Sequence, residues 1–199
     1  APVHTVEKAV MRVLHVHSGN LFGGVESMML TQVREEVRCP ELKSSFALCF
    51  DGRLSKELEQ TGATVHSLGE VRIRQPLSVR RARKNLKDIL LRERFDVVVT
   101  HSCWTQTVFG PTVRDSSVPL AFYMHAPANG KHWLERMARR TIPDKVLCNS
   151  NFTASALGKI YPDSTADVVY CPVSPPARDY SEAEKTGVHV ELNTPSDAI

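Results

Sequence analysis

Short β-branched runs alternate with amphipathic helical stretches from Met11 to about Pro172, and no other feature constrains the fold of this chain as tightly. The run Asp96–Thr100, DVVVT, is the clearest case. Three consecutive valines leave no polar face, which suits a central strand of a parallel sheet covered on both sides. Around it the pattern predicts strands over Arg12–His17, Ser45–Phe50, Thr64–Leu68, Pro119–His125, Lys145–Cys148 and Val168–Tyr170. Helical spacing predicts helices over Glu26–Val37, Leu54–Gln60, Thr105–Arg114, His132–Thr141 and Ser150–Ile160, the last capped by Asn149, Ser150 or Asn151. A further helix, capped by Ser78, carries Val79, Ala82, Leu86, Ile89 and Leu90 on its inner side. Gly62 stands where the second helix ends, a position at which glycine takes left-handed backbone cheaply. Strand–helix units repeating every ~20–30 residues give an α/β fold: a doubly wound, Rossmann-like parallel sheet of about seven strands with flanking helices.

The 199 residues fit one such domain and a tail. The reading divides them into an N-terminal extension (1–10), the α/β domain (11–173) and a linker or tail (174–199). Ser174-Pro-Pro176 cannot extend a sheet, because proline lacks the ladder donor. The stretch Ala177–Ile199 is polar, with one helical turn around Ser181–Lys185. With 42% hydrophobic and 24% charged residues the composition is that of a globular chain. No apolar run approaches the ~20 residues that span a bilayer, and Ala1–Val10 lacks the apolar core of a signal peptide. Five scattered cysteines without a CxxC read as reduced thiols, hence a cytoplasmic protein. A net charge of +3 does not mark a nucleic-acid binder.

In open parallel sheets ligands bind beyond the carboxyl ends of the strands. Between the first strand and its helix lies SGNLFGGVE, Ser18–Glu26. Gly19, Gly23 and Gly24 do not spell GxGxxG, which disfavours a dinucleotide binder, although Asp51 sits where a ribose-binding carboxylate would. Gly19 and Gly24 have P-loop spacing, but Val25 and Glu26 replace the lysine and hydroxyl that an NTPase needs. Two readings stay open: a loop whose backbone approaches an anionic ligand, or a tight turn with Glu26 capping the helix. His125, in YMHAP, lies where a strand becomes a loop and can serve as base, hydrogen-bond donor or oxyanion partner, or be structural. His101, in VVTHS, has the same kind of place. His15 and His17, two apart, share one face of their strand; no third ligand follows at metal-site spacing, so packing or hydrogen bonding explains them. No GxSxG or HExxH is present.

A basic block runs from Arg72 to Arg94, with Arg80, Arg81, Arg83, Lys84 and Lys87 in its helix. Lys131, Arg136, Arg139 and Arg140 cluster beside Trp133. These read either as solvated helix faces or as a surface for anionic lipid, a phosphorylated acceptor or protein.

Together these segments resemble the amino-terminal domain of GT-B glycosyltransferases, in particular the retaining family 4. The resemblance rests on RVLHV (Arg12–Val16), GGVE (Gly23–Glu26), DVVVTHS (Asp96–Ser102), YMHAP around His125, DKVLCNSNFTASAL (Asp144–Leu157) and VVYCPVSPP (Val168–Pro176), in that order. It implies a two-domain enzyme whose first domain binds the glycosyl acceptor and whose second binds the nucleotide sugar. Gly23 and Gly24 would approach the donor diphosphate or the transferred sugar, and His125 would line the reaction centre as the catalytic candidate. Glu26, Asn20, His101 and Ser102, at the same sheet edge, complete the expected substrate- and donor-binding set. The resemblance implies retention without metal or other cofactor. The family's donor-binding signature, two glutamates eight positions apart, is absent. The expectation is therefore an acceptor-binding half, inactive without a carboxyl-terminal donor-binding domain. It would be cytoplasmic, with a possible peripheral contact to anionic membrane and no nucleic-acid partner. The alternative is a non-catalytic Rossmann-like module that uses its basic surface for anionic lipid or protein.

Overall fold

A computed structural model describes residues 10–173 and 178–195. The N-terminal extension up to residue 9 and Ser174-Pro-Pro176 lie outside them. Seven strands form the sheet: β1 (Met11–His17), β2 (Leu42–Leu48), β3 (Thr64–Ser67), β4 (Val97–Thr100), β5 (Leu120–Met124), β6 (Lys145–Cys148) and β7 (Ala166–Val168). The helices are α1 (Gly24–Arg34), α2 (Arg53–Gln60), α3 (Pro76–Arg92), α4 (Cys103–Asp115), α5 (Trp133–Ala138), α6 (Asn151–Ser155) and α7 (Glu182–Glu191). All strand pairs are parallel, in the order β3-β2-β1-β4-β5-β6-β7. The order reverses between β1 and β4, so the loops after these two strands part and leave a crevice at the carboxyl edge.

Alternation within each strand builds the layers. Leu14, Val16, Ala47 and Val98 point to one face, where α3 and α4 supply Ala82, Leu86, Ile89, Val108, Phe109 and Val113. Val13, Phe46, Leu48 and Val99 point to the other, against Met28, Met29 and Leu30 of α1 and Leu54 and Leu58 of α2. A third cluster joins Phe122 and Met124 of β5 to Val146 and Cys148 of β6 and to Leu157, Ile160 and Tyr161. On the α1 face the cover is incomplete among the described residues: a groove of about 600 Å³ runs over β4, β5 and β6, lined by Val13, His15, Val99, Ala121, Tyr123 and Leu147.

Several boundaries differ from the sequence reading, for identifiable reasons. Strand β2 starts at Leu42 and ends at Leu48, because it pairs with all seven residues of β1, from Met11↔Leu42 to His17↔Leu48. The next two amides, of Cys49 and Phe50, both donate to the Ser18 carbonyl and turn the chain out of the sheet. Strand β7 is Ala166–Val168 rather than Val168–Tyr170, since its ladder partners in β6 are Val146, Leu147 and Cys148. Ser78 does not cap α3. The helix begins at Pro76, a first-turn position where the missing N–H is no loss, and the Ser78 hydroxyl instead bonds the carbonyls of Arg72 and Gln75. Helix α1 stops at Arg34, followed by a separate 3₁₀ turn over Glu36–Arg38. Helix α4 begins two residues earlier than expected, capped by Ser102, and α5 ends at Ala138, with His132 as its cap. The expected Ser150–Ile160 helix is α6, capped by Ser150, and then a 3₁₀ turn over Leu157–Lys159. In the tail the single expected turn is a ten-residue helix, α7, with Ser181 as cap and no buried residue. Gly62 has the expected left-handed backbone, φ 82°.

Pro111 lies inside α4 and cannot donate to the Thr107 carbonyl one turn back. Arg83 of α3 fills that vacancy: its Nη2 donates to Thr107 O at 3.3 Å and its Nε to Val108 O at 2.6 Å. One member of the basic block is thereby fixed as a helix–helix brace.

Candidate functional site

The carboxyl edge gathers the predicted residues in two adjoining groups. The first is the loop after β1. Gly19 is left-handed (φ 84°), and a Cβ on it would stand 2.8 Å from the Phe50 carbonyl oxygen, so the fold itself requires glycine there. Gly23 is extended, and a Cβ on Gly24 would meet nothing within 4 Å. Glu26, only 6% exposed, turns back on this loop. Its Oε2 accepts the Gly23 N–H at 2.8 Å, and its Oε1 lies 2.6 Å from Nε2 of His17. Glycine has no side chain to return a cap, so the carboxylate alone holds the start of α1. Burial raises the Glu26 pKa, but the His17 hydrogen bond and the backbone amides outweigh it and hold the carboxyl below its ordinary 4.5. The Nδ1 of His17 is sealed from solvent without a partner among the described residues. Glu26 thus caps the helix and also fixes the shape of the glycine loop, leaving the amides of Gly24 and Val25 at the helix mouth.

The second group is a file of histidines across β1, β4 and β5. His15 Nδ1 lies 2.9 Å from His101 Nε2, and His101 Nδ1 lies 3.0 Å from His125 Nε2. Gln32 of α1 closes the inner end, its Nε2 3.3 Å from His15 Nε2. His15 stacks on Phe46, and His125 lies against Tyr123. His15 and His101 are 3% and 2% exposed, whereas His125 is half-buried at the mouth. Burial above all, and then His17, push His15 down to about 4, and the same causes push His125 to about 4, with Glu26 opposing. His101 is held well below 6.5 by burial and by the neighbouring rings. All three are therefore neutral imidazoles near pH 7. The Asn149 amide also donates to the His125 carbonyl at 3.0 Å, anchoring the backbone at this point.

Asn20 and Ser102 line a small cleft of about 200 Å³ beside these groups, with Ser18, Phe50, Val71 and Trp104. The Ser102 hydroxyl accepts the Thr105 N–H at 3.1 Å as the α4 cap. His101 lies behind His125, with both ring nitrogens bonded to other rings. Among the described residues no group of three or more His, Cys, Asp or Glu is arranged to hold a metal ion. The basic block is dispersed: Lys84 pairs with Asp88, Arg81 leans on the Glu70 carbonyl, and Arg83 braces α4. Arg80 instead lines a groove of about 370 Å³ with Ile73, Val79, Trp133 and Met137.

Residues 22–175 match the profile of Glycosyltransferase Family 4. The chain belongs to this family. No curated protein sequence matches the family 4 chain, but solved structures share its fold. HepE from Anabaena, in complex with UDP-glucose, superposes with a TM-score of 0.68 at 16% identity, over 92% of this chain and 50% of that one. The lipopolysaccharide outer core galactosyltransferase WaaB, in its apo form, gives 0.65 at 18% identity, over 85% and 50%. MurG from Acinetobacter baumannii gives 0.61 at 14% identity, over 84% and 47%. The family 4 chain thus spans about half the length of these structures and has the Rossmann-like fold of one half of a GT-B enzyme. Among its described residues no helix is long and apolar enough to cross a membrane.

The sequence reading did not select Gln32 or Trp104. Gln32 looks like an ordinary surface residue of α1, and only the fold brings it to His15, 17 positions away.

Proposed function

We propose that this chain is the acceptor-binding half of a retaining glycosyltransferase, which transfers a sugar from a nucleotide-sugar donor once a donor-binding domain closes over the carboxyl edge. The observation that carries this reading is the loop at Gly23–Gly24. It is fixed by a buried carboxylate, opens the N-terminus of an eleven-residue helix, and leaves room for a Cβ on Gly24 with no contact within 4 Å among the described residues. Backbone can approach a diphosphate or sugar closely there, and the helix mouth favours negative charge. His125, with its ring at the same edge, meets an oxygen of the donor or acceptor. His101 and Ser102 act from behind, His101 through His125 and Ser102 by holding the start of α4. Asn20 and Trp104 shape the neighbouring acceptor cleft. Charge on the leaving diphosphate is balanced by basic groups of the closing domain, with no metal and no other cofactor.

The test joins this chain to a carboxyl-terminal donor domain and measures UDP-sugar binding by calorimetry and transfer by product NMR. Turnover with the anomeric configuration retained, persisting in EDTA, is expected for the joined protein and not for residues 1–199 alone. His125→Ala in the joined protein should lower kcat by on the order of 10²–10³-fold, the scale of losing one transition-state hydrogen bond. Full turnover by residues 1–199 alone, or an inverted product, would contradict the reading.

A second reading is favoured by the groove at Arg80. Trp133 is half exposed beside Met137, with the Arg80 guanidinium at the rim, a combination that suits an anionic amphiphile. Sedimentation with vesicles containing anionic lipid should fall several-fold in Arg80→Glu/Trp133→Ser and be unchanged with neutral vesicles. Equal sedimentation of both proteins removes this reading.

A further inference from the structure

The direction of the histidine file follows from its inner end. A neutral imidazole has one N–H and one lone pair, so each ring in the file donates at one nitrogen and accepts at the other. Three linked rings then have only two arrangements, all donating outward or all donating inward. The amide nitrogen of Gln32 can only donate, and it faces His15 Nε2 at 3.3 Å and Ser44 Oγ at 3.4 Å. With the Gln32 amide nitrogen on this side, His15 Nε2 accepts, and its Nδ1 carries the proton toward His101 Nε2. His101 in turn donates from Nδ1 to His125 Nε2. That leaves the His125 proton on Nδ1. This atom has no partner among the described residues, and it is not among the buried polar atoms sealed from solvent.

We propose that Gln32, His15 and His101 are positioning residues: a one-directional relay that holds His125 as its Nδ1–H tautomer and makes it a hydrogen-bond donor to the cleft rather than a base. A free neutral histidine in water favours the Nε2–H form, so the relay imposes the opposite choice. His125 then arrives with its donor set before any ligand binds, and no proton has to move when an oxygen gains negative charge. That this oxygen belongs to a sugar or diphosphate rests on the function proposed above; the tautomer does not.

Long-range ¹H–¹⁵N correlation on the chain labelled with [¹⁵N]histidine reads the tautomer directly at pH 7.5. The wild type is expected to show His125 protonated at Nδ1 and accepting at Nε2. Gln32 is half-buried on α1, so Gln32→Leu should fold and should move His125 to a majority of the Nε2–H form, three residues along the file from the change. His15→Gln should keep the Nδ1–H form, because its amide can again donate to His101; backbone amide spectra verify that both variants are folded. A wild-type His125 protonated at Nε2, or a tautomer unmoved by Gln32→Leu, overturns the relay. The readout needs no turnover. Failure of transfer therefore leaves the relay standing, and failure of the relay leaves transfer to be judged by its own assay.

Discussion

Acidification from pH 7.5 to 5 is expected to remove a large part of this chain's folding stability. The cause is the histidine file. Unfolded histidines titrate at 6.5, whereas His15 and His125 in the fold are pushed to about 4, and His101 is also held low. A group with a depressed folded pKa contributes stability that is present above its unfolded value and is lost as pH falls toward the folded one. At 1.36 kcal/mol per pKa unit, His15 alone accounts for about 2 kcal/mol between pH 6.5 and 5, and about 3 kcal/mol by pH 4. His125 adds a share discounted for its partial exposure, and His101 acts in the same direction. Glu26 joins them further down, because its depressed carboxyl loses its contribution as the pH falls below 4.5. Against a total stability of about 5–15 kcal/mol this is a steep decline. Urea midpoints measured from pH 7.5 to 5 should drop sharply, and His15→Gln should flatten the slope by removing one titrating ring. Midpoints that stay level over this range would mean that the buried rings take up protons as readily folded as unfolded.

The same packing explains which parts of the molecule could be read from the sequence. The β–α alternation was legible because hydrophobic periodicity is local: VVVT and RVLHVH identify themselves without knowledge of their neighbours. Strand limits were not, because ladder pairing sets them. Leu42–Ser44 look unremarkable in sequence and are drawn into the sheet by Met11, Arg12 and Val13. Helix α7 was underestimated because it has no apolar face against a core, only a good serine cap. At the site, glycine and histidine were visible in the sequence as residue types at strand ends. Their partnerships were not, since His15 and His101 are 86 residues apart and Gln32 carries no signal of its own. Glu26 was legible as a cap, but its second bond, to His17, depends on both being folded inward. The gap is physical: residue type sets what a group can do, and non-local packing sets which partner it does it with.

Gly24→Ala should separate folding from function at the glycine loop, with an unchanged or raised melting temperature and a loss of transfer. The fold gives no reason for glycine at this position. The residue starts α1, and an added Cβ meets no atom within 4 Å. Alanine in a helix is more favourable than glycine by roughly 0.5–1 kcal/mol, so the variant should be at least as stable as the wild type. Gly19 is the contrast, since its left-handed backbone and the Phe50 carbonyl at 2.8 Å from a Cβ tie it to folding. A residue there strains the loop before any ligand is considered. If backbone at Gly24 lies directly against the donor, a methyl group occupies the space of a sugar or phosphate oxygen. In the chain joined to a donor domain, kcat/KM should then fall about 100-fold, equivalent to about 2.7 kcal/mol of transition-state binding. Parallel melting curves show whether that loss has any structural origin. A Gly24→Ala protein that is stable and fully active would reduce the loop to a tight turn held by Glu26, and the site would then have to be built from the His125 side alone.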